Sequence, residues 1–366
     1  MGSEYSSLKM VRHYIKDGGL PPVPKQVQVI LSDLCNQDCG FCAYRMSGYS
    51  SNELFVGDSP LAKTGHNNPI RFMSTDRALR LMDELREVGV LAVQFTGGGE
   101  PTIHKDCETV FLRGLDGGLK CALVSNGVKW SAGLRSSILP RFEWVRVSID
   151  AGTPDTYARI RNCPLDHWDK AMANVKSLAG WIKAAGSPCL LGVGWVVTPD
   201  NYKEIVQGVQ VAHDTGARYV RMSAMFSPED DAPYKEIHGE IKESIREAKA
   251  RYEGPDFTVH DLFGERVEDL RQGRPDYRTC SYQHYTSYIG ADMRPYRCCV
   301  LAYNRRGIIG NGSLRDMSFG DFWRSGDRVR DFERFDARGC ERCQFNPKNR
   351  AMAYILEKEV PHESFP

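Results

Sequence analysis

Three cysteines near the start of the chain have the spacing of iron–sulfur ligands. Cys35, Cys39 and Cys42 form a C-x3-C-x2-C pattern directly after a β-branched stretch that predicts a strand. Three thiolates on one tight loop can hold three irons of a [4Fe-4S] cluster and leave the fourth iron without a protein ligand. Zinc is the competing interpretation, but zinc usually takes a fourth protein ligand close by. The spacing therefore favours a cluster with one open iron.

A second set of cysteines occupies the last quarter of the chain. Cys280, Cys298, Cys340 and Cys343 offer four thiolates, the last two as a C-x2-C pair that alone could also mean a structural zinc site. Cys299 adjoins Cys298 and is an alternative to it. Twelve cysteines without an export signal indicate metal binding or catalysis more than a disulfide framework.

Polar and glycine residues follow several predicted strands at the point where each strand ends. The run from Thr96 to Pro101 reads TGGGEP, and its glycines let the backbone approach a neighbour closely. Glu100 would lie at the end of a buried strand, where a carboxylate without a partner is costly. Ser125 and Asn126 end the next strand, and Ser148 and Asp150 end the one after it.

The elements that must position these residues alternate between strand and helix. About six such units predict a parallel α/β sheet in the form of an open barrel. In barrels of this kind the chemistry lies at the carboxyl ends of the strands, which is where the motifs fall. We therefore expect three regions: a lead-in over residues 1–25, a partial (β/α)6 TIM-like barrel over 26–255, and a small cysteine-containing domain over 256–366.

Composition narrows the class of protein. The chain is 41% hydrophobic and 26% charged with a formal net charge of +1, which predicts a globular protein with no strong overall attraction to nucleic acid or membrane. No stretch approaches the roughly 20 apolar residues of a membrane-spanning helix, so a cytoplasmic protein is expected. An excess of Lys and Arg over residues 294–350 leaves room for a substrate that bears phosphate or carboxylate.

On these motifs the chain resembles the radical S-adenosylmethionine (SAM) superfamily. The family motif is CxxxCxxC with an aromatic residue before the last cysteine, here Phe41. The resemblance implies that the open iron chelates the amino and carboxylate groups of SAM, and that the reduced cluster cleaves SAM to methionine and a 5'-deoxyadenosyl radical. It further implies that the protein binds and orients SAM and shields the radical from water.

The resemblance also assigns SAM contacts to residues at the strand ends. The glycine run is similar to the family's GGE motif, which grips the SAM amino group, and the segment that follows Asp150 is similar to its "TPETY…IR" segment. Arg161 would then be a partner for the SAM carboxylate, with a structural Asp150–Arg161 ion pair as the alternative. The SAM-binding residues implied in this way are Gly97, Gly98, Gly99, Glu100, Ser125, Asn126, Ser148, Asp150 and Arg161.

The second cysteine set resembles the C-terminal extension of the SPASM and twitch families. The segments 289–292, 309–314 and 318–323 carry that similarity, and the absence of cysteines after Cys343 fits the shortened, one-cluster twitch form. The resemblance implies an auxiliary [4Fe-4S] cluster held by Cys280, Cys298, Cys340 and Cys343. It favours Cys298 over Cys299 through the "PYRC" context, and zinc remains the alternative.

The predicted function is hydrogen abstraction from a small-molecule or nucleotide-type substrate, giving oxidation or radical rearrangement. The alternatives are a bacteriophage-type isomerase of an amino-acid-modified thymine in DNA, a SPASM-type maturase of peptides or proteins, and a non-enzymatic iron–sulfur electron carrier. A flavodoxin or ferredoxin would supply the electron. The polar span from Ala43 to Asn68, with Tyr44, Arg45, Tyr49 and His66, is the expected lid.

Overall fold

The computed structural model describes residues 21–44, 46 and 72–356. Most of the expected lid, including Arg45, Tyr49 and His66, and residues 1–20 of the expected lead-in lie outside the described residues.

A mixed sheet forms the frame of the described chain. Its nine strands run in the order β7-β6-β5-β4-β3-β2-β1-β8-β9, and every neighbouring pair is parallel except β8 and β9. The strands are β1 (Gln26–Val29), β2 (Ala92–Phe95), β3 (Lys120–Ser125), β4 (Trp144–Ser148), β5 (Leu190–Val197), β6 (Tyr219–Ala224), β7 (Thr258–Asp261), β8 (Thr286–Ile289) and β9 (Pro295–Tyr296).

Helices connect the strands and cover one face of the sheet. They are α1 (Thr75–Glu87), α2 (Cys107–Asp116), α3 (Pro154–Arg161), α4 (Asp166–Ala184), α5 (Ile205–Asp214), α6 (His238–Tyr252), α7 (Phe263–Gln272), α8 (Tyr282–Tyr285), α9 (Phe319–Arg324), α10 (Gly326–Arg334) and α11 (Asn346–Leu356). Six parallel strands in sequential order, with an α-helix between consecutive strands except for the short π-helix and 3-10 turn between β3 and β4, confirm the predicted partial TIM-like barrel.

Local sequence explains where the helices begin. Ser74 precedes α1, and its side chain accepts a hydrogen bond from the Arg77 N–H. Thr153 does the same for the Thr156 N–H, with Pro154 at the first position of α3. Both devices satisfy backbone donors that the first helical turn leaves without partners.

The alternation of side chains in each strand separates the core from the inside of the barrel. In β4, Val145 and Val147 are fully buried in the main hydrophobic core, whereas Arg146 and Ser148 point to the other face. In β5 that inner face carries Gly192, where an added Cβ would lie 2.1 Å from the ring of Tyr219. Glycine therefore makes room inside the barrel for large side chains from the neighbouring strand.

The sheet continues beyond residue 255 in both directions. Strand β7 pairs with β6, and β8 pairs with the free edge of β1 in the register Gln26↔Thr286 and Val29↔Ile289. The C-terminal segment also contacts α1, because Arg77 donates to the Leu314 carbonyl over 2.5 Å and pairs with Glu84 at 3.0 Å. The C-terminal part of the chain is thus joined to the barrel through both edges of the sheet and through α1.

Within residues 21–44, 46 and 72–356, no helix combines the length and the apolar character that crossing a membrane requires.

Candidate functional site

A cavity of about 370 Å³ opens among the carboxyl ends of the strands. We call it the barrel cavity. Every residue that the sequence assigns to the first cluster or to SAM lines it: Cys35, Cys39, Cys42, Gly97, Gly98, Gly99, Glu100, Ser125, Asn126, Ser148, Asp150 and Arg161. The structure therefore brings together residues that are more than 120 positions apart in the chain.

The loop that carries the first three cysteines is braced from below by the end of α3. The Asp38 N–H donates to the Arg161 carbonyl over 2.9 Å, and the Gly40 N–H donates to the Ile160 carbonyl over 3.1 Å. Within the loop, the Cys42 N–H donates a hydrogen bond to the Cys39 carbonyl over 3.1 Å. These backbone bonds hold the three thiols on a short turn at the mouth of the barrel cavity.

The glycine run packs against the chain that leads into this loop. The Glu100 N–H donates to the Leu34 carbonyl over 2.8 Å, and an added Cβ at Gly99 would lie 2.0 Å from that carbonyl oxygen. Gly98 has a φ of +72° and would place a Cβ 2.3 Å from the carboxylate of Asp33. Glycine is required at these positions because the two backbone segments touch.

The Glu100 carboxylate, which is 3% exposed, ties the ends of β2 and β3 together. Its Oε1 accepts hydrogen bonds from the Thr102 and Ser125 hydroxyls, each over 2.7 Å, and its Oε2 accepts one from the Asn126 N–H, also over 2.7 Å. Burial raises the pKa of Glu100, while these donors oppose the rise. The side chain of Asn126 in turn donates to the Asn36 side chain over 2.6 Å, which connects β3 to the cysteine loop.

Arg161 and Asp150 form a buried ion pair. The Arg161 Nε donates to the Ile149 carbonyl over 3.1 Å and its Nη1 to the Gln37 amide oxygen over 2.6 Å, while Nη2 bonds Asp150. Burial alone would lower the pKa of Arg161, but the Asp150 carboxylate beside it raises that pKa above its usual value. The geometry is that of the structural ion-pair alternative, and the role of Arg161 toward the SAM carboxylate stays a prediction.

The thiols of the first set have polar neighbours suited to a thiolate-bound cluster. The Arg161 Nη1 lies 3.8 Å from the Cys39 sulfur, and the Asn126 Nδ2 lies 4.0 Å from the Cys35 sulfur. N–H donors that face ligand sulfurs orient the ligands and stabilise their negative charge. The donor set and its surroundings thus fit a [4Fe-4S] cluster.

The second cysteine set also converges. Cys343 and Cys340 raise the pKa of the Cys280 thiol through their charges. Cys280 and Cys343 do the same to Cys298, so these thiols lie near one another. Burial is the main cause that raises the pKa of each. The Tyr277 hydroxyl donates to the Cys343 sulfur over 3.2 Å, a contact of the kind that supports ligand sulfurs.

Cys299 has a different environment. Its sulfur accepts a hydrogen bond from the side chain of Gln344, which itself lines the barrel cavity, and the positive charge of Arg266 opposes the rise in the Cys299 pKa that burial causes. Neighbouring side chains of an extended chain point to opposite sides, and Cys298 has a φ of −162°. Cys298 and Cys299 therefore have different neighbours, although the choice of ligand stays a prediction.

In the described part of the chain, no three His, Cys, Asp or Glu side chains surround one common ion position.

Several cavity residues were missed from the sequence. Gln37 lies within the cysteine loop and holds Arg161, while Arg221, Phe226 and Arg266 line the wall beyond β5. The inward position of Arg221 could have been predicted from the alternation in β6, since Val220 and Met222 are apolar on either side of it. Nothing in the local sequence of Arg266 distinguishes it from a solvent-facing helical arginine.

Comparison with known proteins finds one family model that matches part of the chain. Residues 29–195 match the family model of the radical SAM superfamily. The chain is 29% identical over 134 residues to a probable GTP 3',8-cyclase of Halobacterium salinarum, covering 37% of this chain and 34% of that protein. It is 28% identical over 176 residues to a PqqA peptide cyclase of Methylocella silvestris, covering 45% and 44%. The chain thus matches between a third and a half of the length of these curated relatives.

Solved structures share the fold over most of the chain. SuiB of Streptococcus suis bound to its precursor peptide SuiA has a TM-score of 0.60 at 14% identity, covering 92% of this chain and 73% of that one. Native anSMEcpe with bound AdoMet, which is SAM, has a TM-score of 0.56 at 14% identity, covering 84% and 83%. At this identity the likeness establishes the fold alone.

Proposed function

Because residues 29–195 match the family model of the radical SAM superfamily, we propose that the chain is a member that reductively cleaves SAM and abstracts a hydrogen atom from a substrate held in the barrel cavity. The observation that carries the proposal is the single cavity lined by the three loop cysteines, the glycine run and the ends of β3 and β4. A non-enzymatic electron carrier would not need the last two features.

Different residues of the barrel cavity would bind the cluster, position SAM and exclude water. Cys35, Cys39 and Cys42 would hold a [4Fe-4S] cluster that, when bound and reduced, supplies the electron that cleaves SAM. The glycine run and Asn126 would position SAM, with Ser148 at the end of β4 as a further contact. The apolar face of Phe41 and the surrounding strand ends would keep water away from the radical.

We propose that the C-terminal cysteines bind a second [4Fe-4S] cluster. Cys280, Cys298, Cys340 and Cys343 lie close enough to influence one another electrostatically, and two are contributed by a C-x2-C pair. We assign them to a twitch-like region over residues 256–366, which follows a barrel region over 26–255. In this arrangement the two regions share one sheet, since β7 and β8 flank the barrel strands.

The substrate class is the open part of the proposal. A small-molecule or nucleotide-type substrate agrees with the relative named a GTP cyclase, and a peptide is the second candidate because other relatives are named PqqA peptide cyclases. Deuterium transfer from labelled candidates into 5'-deoxyadenosine would distinguish the classes. Product analysis would then separate oxidation from rearrangement.

Iron analysis and SAM cleavage test the proposed function directly. After anaerobic reconstitution we expect about eight irons per chain, and 5'-deoxyadenosine formation on reduction by dithionite or by a flavodoxin or ferredoxin. The triple variant C35A/C39A/C42A should retain about four irons and form no 5'-deoxyadenosine.

The matched control is C189A, since Cys189 is a buried cysteine at the start of β5 outside both sets. This variant should keep all the iron and the cleavage activity. Recovery of zinc in place of iron, together with no SAM cleavage by the wild type, would remove the proposal.

A further inference from the structure

One wall of the barrel cavity carries an arginine, Arg221, that forms no ion pair with any other described residue. Arg221 lies in the middle of β6, between Gly194 of β5 and His260 of β7 in the register of the sheet. Because alternate residues of a strand share a face, Arg221 and Ser223 point to the inner side, and both line the cavity. Gly194, its register partner on β5, leaves space that the side chain of Arg146 occupies, since an added Cβ there would lie 3.4 Å from that side chain.

The charge of Arg221 is not neutralised within the described residues. There its side chain makes no hydrogen bond and no ion pair, and the nearest acid that acts on it, Glu265, is solvent-exposed. Burial, followed by the positive charges of Arg146 and Arg266, lowers the pKa of Arg221 to about 10. A half-buried guanidinium among other cations is unfavourable unless an anion joins it.

A second cation lies beside this wall. Arg266 of α7 is 9% exposed and lines the same cavity. Its Nη1 donates to Asp269 over 2.8 Å, and its guanidinium lies 4.6 Å from the centre of the Phe226 ring. The ion pair and the ring contact fix the direction of the guanidinium, as a preformed binding group requires.

The two acids that line the cavity cannot serve Arg221. Asp150 is paired with Arg161, and Glu100 is fully engaged by donors from its own loop and from β3. Both belong to the wall that holds the cysteine loop. In the sheet, β5 lies between β6 and β4, so the cation wall adjoins but does not coincide with the ends of β2, β3 and β4 that are expected to hold SAM.

We propose that Arg221, supported by Arg266, binds an anionic group of the substrate, a carboxylate or a phosphate. Guanidinium groups bind both anions through paired, charge-assisted hydrogen bonds. The inference rests on the proposed function, because it takes the barrel cavity as the substrate site. It narrows the substrate class to molecules that carry a carboxylate or a phosphate.

Anion binding in the presence of SAM tests the inference. Anaerobically reconstituted protein saturated with SAM would be titrated with inorganic phosphate and, separately, with glutarate by isothermal calorimetry. The wild type should bind at least one of them, and the tighter ligand identifies the class. R221Q should weaken that binding roughly 10-fold or more, because one charged hydrogen-bonding partner is lost.

The matched control is R80Q, since Arg80 is an exposed arginine on α1 outside the barrel cavity. It should bind the anion as the wild type does. R221K should retain part of the affinity, and R266Q should lose part of it. If circular dichroism shows that R221Q does not fold, R221K and R266Q decide the question. R221K keeps a positive charge at position 221, and R266Q removes only the supporting cation.

The same titrations are repeated without SAM. Three outcomes would overturn the inference: no binding of either anion to the wild type in either condition, equal binding by R221Q, or binding seen only without SAM, which would assign Arg221 to the SAM carboxylate. SAM cleavage without substrate is measured on the same samples. A wild type that binds the anion but never cleaves SAM contradicts the proposed function alone. One that cleaves SAM but binds neither anion contradicts the anion site alone.

Discussion

Asp150 combines two unusual properties at one residue. Its backbone has a φ of +61°, in the left-handed region that few side chains other than Asn and Asp tolerate, and its carboxylate is the buried partner of Arg161. The same carboxylate accepts a hydrogen bond from the Val196 N–H over 2.6 Å, which joins the end of β4 to β5. One side chain thus connects two strand ends and, through Arg161, the cysteine loop.

Removal of one member of this pair should be strongly destabilising. R161Q leaves the Asp150 carboxylate buried without its cation, so we expect a loss of about 3 kcal/mol or more in the free energy of unfolding, measured by urea denaturation. The double variant D150N/R161Q should recover part of the loss, since asparagine tolerates the left-handed backbone. The exposed pair Arg218–Asp256 is the control, and R218Q should change stability by less than about 1 kcal/mol. A similar small effect of R161Q would contradict a structural role for the pair.

His284 predicts a pH dependence of stability. Burial, with help from Arg328, lowers the pKa of His284 to about 4. The unfolded chain takes up a proton near pH 6.5 but the folded chain does not, so stability should decline as the pH falls from about 6.5 toward 4. Thermal unfolding of H284Q should show a smaller decline over that window. Identical curves for H284Q and the wild type would refute the assignment.

At the scale of elements, the contact between α5 and β5 depends on one missing side chain. An added Cβ at Gly208 would lie 1.6 Å from the indole ring of Trp195, which is 1% exposed. The helix can approach the strand only because residue 208 is glycine. This close approach sets the position of the strand that provides Gly192 and Gly194 to the inner face of the barrel.

We therefore expect G208A to lower the free energy of unfolding by about 1–3 kcal/mol through overpacking. The control is G180A on α4, where nothing lies within 4 Å of the added atom. That change should leave stability unchanged or raise it by up to about 1 kcal/mol, because alanine favours the helix. Chemical denaturation of the two variants measures both effects, and a neutral G208A would mean that the helix can shift away.

The elements were largely predictable because their periodicity is a local signal. Apolar residues that recur with the period of a strand or of a helix predict β4, β5 and α4. Ser74, a residue type that caps helices, predicts the start of α1. The convergence of the three loop cysteines with the glycine run was also predictable, since carboxyl ends of parallel strands meet at one edge. Arg221 was missed although the alternation in β6 indicates its inward position, because a cation in a strand usually faces solvent.

Long-range placement could not be obtained from the sequence. No local pattern shows that β8 would join the free edge of β1, or whether Arg161 turns to Asp150 or into the cavity. Each depends on contacts between segments more than ten residues apart, whose energies differ by only a few hydrogen bonds.

At the scale of the whole molecule, Arg77 links the barrel to the C-terminal segment. It is 6% exposed, bonds Glu84, and donates to the carbonyls of Leu314 and Met317. Glu84 in turn accepts from the Phe319 N–H over 2.9 Å at the start of α9. The same docking is completed by the Trp323 indole N–H, which donates to the Pro22 carbonyl.

R77Q should loosen this docking without unfolding the barrel. We expect faster amide hydrogen exchange over residues 314–324, because two backbone carbonyls lose their buried donor and Glu84 loses its cation. Exchange in β3 and β4 should stay unchanged. R86Q, at a half-exposed arginine on the same helix, provides the control. Unaltered exchange over residues 314–324 would show that the other contacts suffice to hold the segment.

The position of β1 between β2 and β8 has a consequence for the order of events during synthesis. The partner strand on its second edge emerges roughly 260 residues later, which at ribosomal speed is on the order of 13 to 50 s. Until then the strand that leads into Cys35 is paired on one side only, and contacts of such long separation form slowly. In the nascent chain, iron and sulfide delivered to the cysteine loop would thus meet a site whose leading strand is paired on one edge, until β8 has been synthesised and has paired with β1.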